Sequence, residues 1–122
     1  MTKILLVVSV LLFASPAMAQ HVHHKGPNGG PMEDVAGVHL EMTVSGKILT
    51  FHVIDEASKP VQATGYTGAV LLTSGSERAT LPLVVSGTAL QAEMKGDVPK
   101  DAMVSVTLKT AAGKSGQVKF RN

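Results

Sequence analysis

The sequence contains no cysteine and no tryptophan, and it has only one tyrosine and three phenylalanines in 122 residues. Without cysteine the chain can form no disulfide, and it offers neither a thiolate nucleophile nor a thiolate metal ligand. Because sugar-binding platforms stack on aromatic faces, the scarcity of aromatic residues argues against a carbohydrate-binding module. The core must therefore be built from Val, Leu, Ile, Met and Ala, and packing alone must hold the fold.

An excess of charge of one sign is also missing, since eleven Lys and Arg residues stand against nine Asp and Glu. The lysines are scattered, so the sequence has no basic patch of the kind that binds nucleic acid or an anionic membrane. After residue 20 no stretch of useful length repeats its apolar residues with the period of a helix. We therefore expect no nucleic-acid partner and a helix content near zero.

The first nineteen residues have the three parts of a secretory signal. Lys3 gives the positive start, residues 4–14 form an uncharged apolar stretch, and Ala17-Met18-Ala19 is a small-x-small cleavage pattern before Gln20. The apolar stretch is about half of the ~20 residues that are needed to span a bilayer. We therefore expect export to the periplasm, cleavage after Ala19, and no membrane anchor once the signal is removed.

The rest of the chain divides into two regions of different composition. Residues 20–36 are polar and histidine-rich, and Gly26-Pro27-Asn28-Gly29-Gly30-Pro31 interrupts them, which predicts a flexible arm. Residues 37–122 consist of short alternating segments separated by Gly, Ser, Pro and Asp at spacings of roughly 8–12 residues. This pattern predicts an all-β fold, a single immunoglobulin-like antiparallel β-sandwich of about seven strands.

The alternation also predicts the pairing of the first hairpin. A two-residue turn at Ser45-Gly46 pairs Val44 with Lys47, which sets Leu40 opposite Phe51 and brings the apolar residues of both strands to one face. In this register His39 lies directly opposite His52 on the other face. The two Cα atoms of such a pair, in a non-hydrogen-bonded position, are only ~4.5 Å apart.

Three further turns are predicted in the same way. One at Ser86-Gly87 sets Leu83 opposite Leu90 and Leu81 opposite Ala92, and one at Ser74-Gly75 joins a strand near residues 68–73 to a strand over 78–85. A three-residue loop, Ala111-Ala112-Gly113, closes the last hairpin, with glycine at the left-handed position. This last register sets Val106 opposite Val118 and Val104 opposite Phe120.

The sequence offers little for catalysis. No serine lies in a strand-turn-helix elbow, most carboxylates lie at turns, and the glycine-rich run at residues 26–31 is neither preceded by a strand nor followed by a helix. We therefore expect that the protein is not an enzyme.

Three of the five histidines lie close together, at His21, His23 and His24. Short histidine-rich tracts indicate metal binding, because a neutral imidazole is a ligand for Cu, Zn, Co and Ni ions. The alternative is a polar tail whose histidines bind nothing. Met32, in the adjoining loop, could offer a thioether to Cu⁺.

His39 and His52 form a second candidate metal site. Two imidazoles in a direct cross-strand pair can share one ion, and Glu41, two residues along the same face, could add an oxygen ligand. The alternative is an uncoordinated pair on a solvated surface.

The run His24-Lys25-Gly26-Pro27-Asn28-Gly29-Gly30, followed by Asp34 and Val38-His39-Leu40-Glu41, resembles the N-terminal segment of periplasmic adaptor subunits of RND-type heavy-metal efflux pumps. It also resembles small periplasmic proteins that share this segment. In the adaptors a His-rich tail precedes a Gly-Pro-(His/Asn)-Gly-Gly motif and a short β-domain. The present sequence shows no pattern for their helical hairpin, lipoyl-like and barrel domains.

The resemblance implies a free-standing periplasmic metal-related module, a carrier or buffer for Cu, Zn, Co or Ni with a metal-efflux component as partner. A rival from another class is a structural or protein-interaction module of the cell envelope. Such a module would offer an edge strand to a partner, and its histidines would be incidental.

Export gives the first testable prediction. Protein recovered from the periplasm should begin at Gln20, because Ala17 and Ala19 occupy the two positions that signal peptidase reads. Mass spectrometry of fractionated cells measures the terminus directly, and an intact Met1 would contradict the predicted export.

Overall fold

A computed structural model describes residues 24–122, so the predicted signal peptide, His21 and His23 lie outside the described residues. Over that range the chain forms nine strands and no helix, and no segment could cross a membrane as a helix. The strands are β1 (Met32–Val35), β2 (Val38–Ser45), β3 (Ile48–Ile54), β4 (Thr67–Ser74), β5 (Glu77–Pro82), β6 (Val84–Ser86), β7 (Ala89–Glu93), β8 (Met103–Lys109) and β9 (Ser115–Arg121).

The strands form two antiparallel sheets, one in the order β1-β2-β3-β7-β6 and the other in the order β5-β4-β8-β9. When β2, β3, β7 and β6 are taken as strands A, B, E and D, and β4, β8 and β9 as C, F and G, this is the strand order of an immunoglobulin domain. The predicted immunoglobulin-like β-sandwich is therefore confirmed. β1 and β5 are the two strands beyond the predicted seven.

β1 lies inside the range that was predicted to be a flexible arm, residues 20–36. It pairs with β2 from Met32 opposite Glu41 to Val35 opposite Val38. The turn between them consists of Ala36 and Gly37, both at positive φ (51° and 83°), which is the conformation of a type I′ hairpin turn. The sheet therefore begins at residue 32, five residues before the predicted domain boundary.

The core lies between the sheets and is made by alternate residues of each strand, since successive side chains point to opposite faces. Phe51 of β3 is fully buried and packs across the sandwich against Phe120 of β9, with 5.7 Å between ring centroids. The other buried members are aliphatic, as the composition predicts, and include Leu40, Met42, Leu49, Val53, Val70, Leu72, Leu90, Val104, Val106 and Leu108.

The predicted register of the first hairpin is wrong by two residues. Gly46 and Lys47 form the turn, Ser45 pairs with Ile48, and Gly46 has a φ of 58°. Glycine at the first of two turn positions is typical of a type II′ turn, whereas the prediction placed it second. His39 is therefore opposite Ile54, and His52 is opposite Glu41.

The hairpin of β6 and β7 shows the same displacement, because Gly87 again occupies the first turn position, with a φ of 62°. Ser86 pairs with Ala89 and Val85 with Leu90, so the predicted pairs Leu83–Leu90 and Leu81–Ala92 are wrong. Moving a turn by one residue moves the register by two, which leaves every side chain on its predicted face.

The last hairpin is as predicted, with Val106 opposite Val118, Val104 opposite Phe120, and Gly113 at a φ of 85°. The strand predicted over residues 78–85 is divided at Leu83. Its first part, β5, pairs with β4, and its second part, β6, pairs with β7 in the other sheet. The Leu83 N–H donates to the carbonyl of Gly68 at this crossing.

Replacement of Phe51 by alanine tests the core. Because Phe51 is fully buried between the two sheets, Phe51→Ala should lower the free energy of unfolding by about 3–5 kcal/mol. Leu71→Ala is the control, since Leu71 is 39% exposed on the outer face of β4 and should cost less than about 1 kcal/mol. Urea denaturation measures both, and equal costs would contradict the arrangement.

Candidate functional site

The outer face of the five-stranded sheet carries a group of polar residues from its first three strands. The ladders place Asp34 of β1 opposite His39 of β2, and Glu41 of β2 opposite His52 of β3. Thr43 follows on the same face of β2. The structure thus brings the predicted residues His39, Glu41 and His52 to one face, and it adds Asp34, which the sequence did not identify as a site residue.

Glu41 is a charged residue with no exposed surface, although it points away from the core. The loop Gly26–Gly30 covers it and supplies its hydrogen bonds. The Asn28 backbone N–H donates to both carboxylate oxygens (3.1 Å to Oε1 and 2.8 Å to Oε2), the Asn28 side-chain amide donates to Oε1 (2.9 Å), and the Gly30 N–H donates to Oε2 (2.8 Å). A buried carboxylate needs such donors, because its lost hydration is otherwise costly.

At two positions of the loop, neighbouring atoms lie so close to the backbone that only glycine fits. A Cβ on Gly26 would overlap the Glu41 carboxyl group, and a Cβ on Gly30 would overlap the backbone carbonyl of Met42. The loop is closed by Gly26 N–H donating to the Gly30 carbonyl (2.8 Å) and Gly29 N–H donating to the Gly26 carbonyl (3.0 Å). The glycine-rich run and Glu41 are therefore one structural unit.

This unit removes Glu41 from the set of candidate metal ligands. Both of its oxygens already accept hydrogen bonds, and the loop separates them from solvent. Within residues 24–122, no group of three or more His, Asp and Glu side chains is arranged to hold a metal ion. A site with three or more such ligands would therefore have to include His21 or His23, which lie outside the described residues.

His39 is held by a neighbouring carboxylate. Its Nδ1 is hydrogen-bonded to Oδ1 of Asp34 on the adjacent strand, and the two side chains are 26% and 81% exposed. When Nδ1–H donates to a carboxylate, the lone pair of the neutral ring is on Nε2. This is the arrangement in which metal-binding histidines are commonly oriented.

His52 is placed differently. It is half-buried, and its Nε2 is hydrogen-bonded to the Thr43 hydroxyl at 3.0 Å. It lies diagonally from His39, because Glu41 occupies the directly opposite position. Diagonal Cα atoms are about 7–8 Å apart rather than ~4.5 Å. The predicted direct His39–His52 pair does not form.

His24 is exposed and lies beside β1. Its carbonyl accepts a hydrogen bond from the Met32 N–H (2.9 Å). Lys25 and Pro31 form an isolated antiparallel β-bridge. Met32 is two residues from Asp34 on the same strand, a separation of about 7 Å. The His-rich N-terminal segment thus joins the sandwich at the strand that carries the carboxylate partner of His39.

Two glycine substitutions test whether the loop packs on Glu41. Gly26→Ala should lower the free energy of unfolding by about 1–3 kcal/mol, because the added methyl group overlaps the Glu41 carboxyl group. Gly96→Ala should change it by less than about 1 kcal/mol, since a Cβ there has no heavy atom within 4 Å. Urea denaturation compares the pair, and a harmless Gly26→Ala would contradict the contact.

Comparison with protein-family models, with curated proteins and with solved structures finds no match to this chain. The immunoglobulin-like fold follows from the strand order alone. The resemblance of about residues 20–55 to metal-efflux adaptors stays a prediction.

Proposed function

We propose that the protein is a periplasmic transition-metal-binding module, a carrier or buffer for Cu, Zn, Co or Ni ions linked to heavy-metal efflux, and not an enzyme. Its ligands are His21, His23 and His24 of the N-terminal segment together with Nε2 of His39. The observation that carries the proposal is the Asp34–His39 pair, which lies on the edge of the sheet where His24 joins it.

The chemistry of the two parts is complementary. The tract supplies three imidazoles, which suit these ions, but a tract alone binds weakly because each ligand must be ordered on binding. His39 supplies a fourth imidazole on a strand, already oriented by Asp34. Four ligands complete a tetrahedral site for zinc, and preorganisation of one of them lowers the entropic cost of the others.

Two of the metal ligands that were predicted from the sequence make other contacts in the structure. Glu41 is enclosed by the loop, and His52 has its Nε2 on Thr43. Neither is needed in the proposed site. The predicted signal peptide and the resemblance to efflux adaptors support a periplasmic location and a metal-efflux component as partner.

The interaction module remains a second candidate, and one feature favours it. The edge of the sandwich where β5 passes into β6 exposes Val84 (62%) and Val85 (39%). Because Ser86 pairs with Ala89 at the turn, the backbone N–H and C=O of Val85 point away from β7. An extended segment of a partner protein could bind this edge by strand addition.

Metal titration of the protein without residues 1–19 distinguishes the metal-binding module from the interaction module. Zn²⁺, Cu²⁺, Ni²⁺ and Co²⁺ are added at pH 7.5, and calorimetry and thermal melting are followed. Saturation at 100 times Kd should stabilise the fold by ~2.7 kcal/mol. His39→Ala should remove this stabilisation, and Asp34→Asn should weaken binding by about tenfold or more. His52→Ala is the matched control and should leave affinity unchanged.

Replacement of the N-terminal histidines and a change of pH give two further tests of metal binding. Replacement of His21, His23 and His24 by alanine should abolish tight binding without changing the melting temperature of the metal-free protein. Binding should weaken below pH ~6, because a protonated imidazole cannot be a ligand. If none of the four metals alters the melting temperature or the histidine NMR signals, the metal function is wrong and the interaction module is favoured.

A further inference from the structure

The loop Gly26–Gly30 is a receptor for a carboxylate that belongs to the same chain. Three donors converge on the Glu41 carboxylate, namely two backbone N–H groups and the Asn28 amide. Every hydrogen bond that residues 26–30 donate within the described structure goes either to the loop itself or to Glu41. Glu41 is therefore the acceptor on the sandwich that holds the loop.

We propose that this loop and Glu41 form a latch that fixes where the His-rich N-terminus leaves the sandwich, so that Glu41 and Asn28 are positioning residues for metal binding. The inference rests on the proposed function, because it concerns the placement of the same ligands. It assigns Glu41 a role that acts through the loop rather than on the metal.

Covalent connection carries the effect from the latch to the histidines. His24 and Lys25 immediately precede the loop, and β1 immediately follows it. The latched loop brings the two ends together, since the Met32 N–H donates to the His24 carbonyl and Lys25 bridges to Pro31. Pro31 is held in turn by the Met42 N–H, which donates to its carbonyl at 3.0 Å. Opening the loop would release His24 from β1, so that its position relative to His39 would no longer be fixed.

The latch requires a carboxylate rather than any polar side chain. Each oxygen accepts two hydrogen bonds: Oε1 takes both Asn28 donors, and Oε2 takes the Asn28 and Gly30 N–H groups. Glutamine has the same shape but only one acceptor oxygen, so its NH₂ group would face an N–H donor. A buried donor without an acceptor is unfavourable, and the loop should open.

Glu41→Gln is the first test, with Glu77→Gln as the control for the loss of one negative charge at an exposed site. Both variants are used as the full secreted chain, at a temperature where each is folded by circular dichroism. Amide hydrogen exchange followed by NMR should show that Asn28 and Gly30 lose protection in Glu41→Gln, while Val106 in the core stays protected. Zn²⁺ affinity measured by calorimetry should fall by about tenfold or more.

Chemical rescue keeps the test valid if Glu41→Gln misfolds. Glu41→Ala removes an acetate-sized group, and added acetate should restore both the protection of the Gly30 amide and the Zn²⁺ affinity. Chloride at equal ionic strength should restore neither. Wild-type protein in the same acetate buffer shows how far the apparent Zn²⁺ affinity falls because acetate itself binds Zn²⁺.

The outcomes separate the inference from the function on which it rests. Retained protection of Asn28 and Gly30 in Glu41→Gln overturns the latch. Lost protection with unchanged Zn²⁺ affinity overturns the positioning role and leaves the metal site intact. If wild type binds no metal, the proposed function and the positioning role fail together, and exchange then shows only whether Glu41 holds the loop.

Discussion

The carboxylate of Glu41 is the interaction on which the N-terminal part of this structure depends. Removal of a carboxylate from water costs several kcal/mol unless donors replace the lost hydration, and the loop Gly26–Gly30 provides four hydrogen bonds to its two oxygens. The arrangement also fixes the loop's composition, because side chains at Gly26 or Gly30 would collide with Glu41 or Met42. Charge, hydrogen bonding and steric space therefore all select the same conformation.

The position of His24 follows from this contact. Once the loop is closed, His24 lies against Met32, and the same strand continues to Asp34, which orients His39. β1 is in turn held against β9, where Gly116 leaves room for the Val35 side chain. The edge of the sheet is thus built into a defined surface that carries an oriented imidazole and lies beside His24.

The fold could be predicted from the sequence because alternation and turn residues are local signals. The last hairpin was predicted with its correct register, since a three-residue loop with Gly113 in third place has one favoured closure. The first hairpin was not, because Ser45-Gly46-Lys47 allows glycine in either turn position. The apolar pattern could not correct the error, since a slip of two residues leaves Leu40 and Phe51 on the same faces.

The site was harder to predict, because its main contacts join residues that are distant in sequence. Glu41 alternates with core residues like any solvated strand position, and only the folded loop, from residues 11 and 13 positions earlier, shows that it is buried. Asp34 was missed because residues 20–36 were interpreted as an arm, although the Ala36-Gly37 turn would pair it with His39. His39 itself could be identified by residue type alone.

Paramagnetic line broadening would test most directly where a metal binds. Substoichiometric Co²⁺ or Cu²⁺ is added to the ¹⁵N-labelled protein without residues 1–19, and the loss of each backbone amide signal is measured. We expect that Met32, Asp34 and His39 lose intensity first, while Gly75, on the turn before the distant edge strand β5, keeps its signal. Uniform broadening, or broadening centred away from β1, would contradict a site formed by the N-terminal histidines and His39.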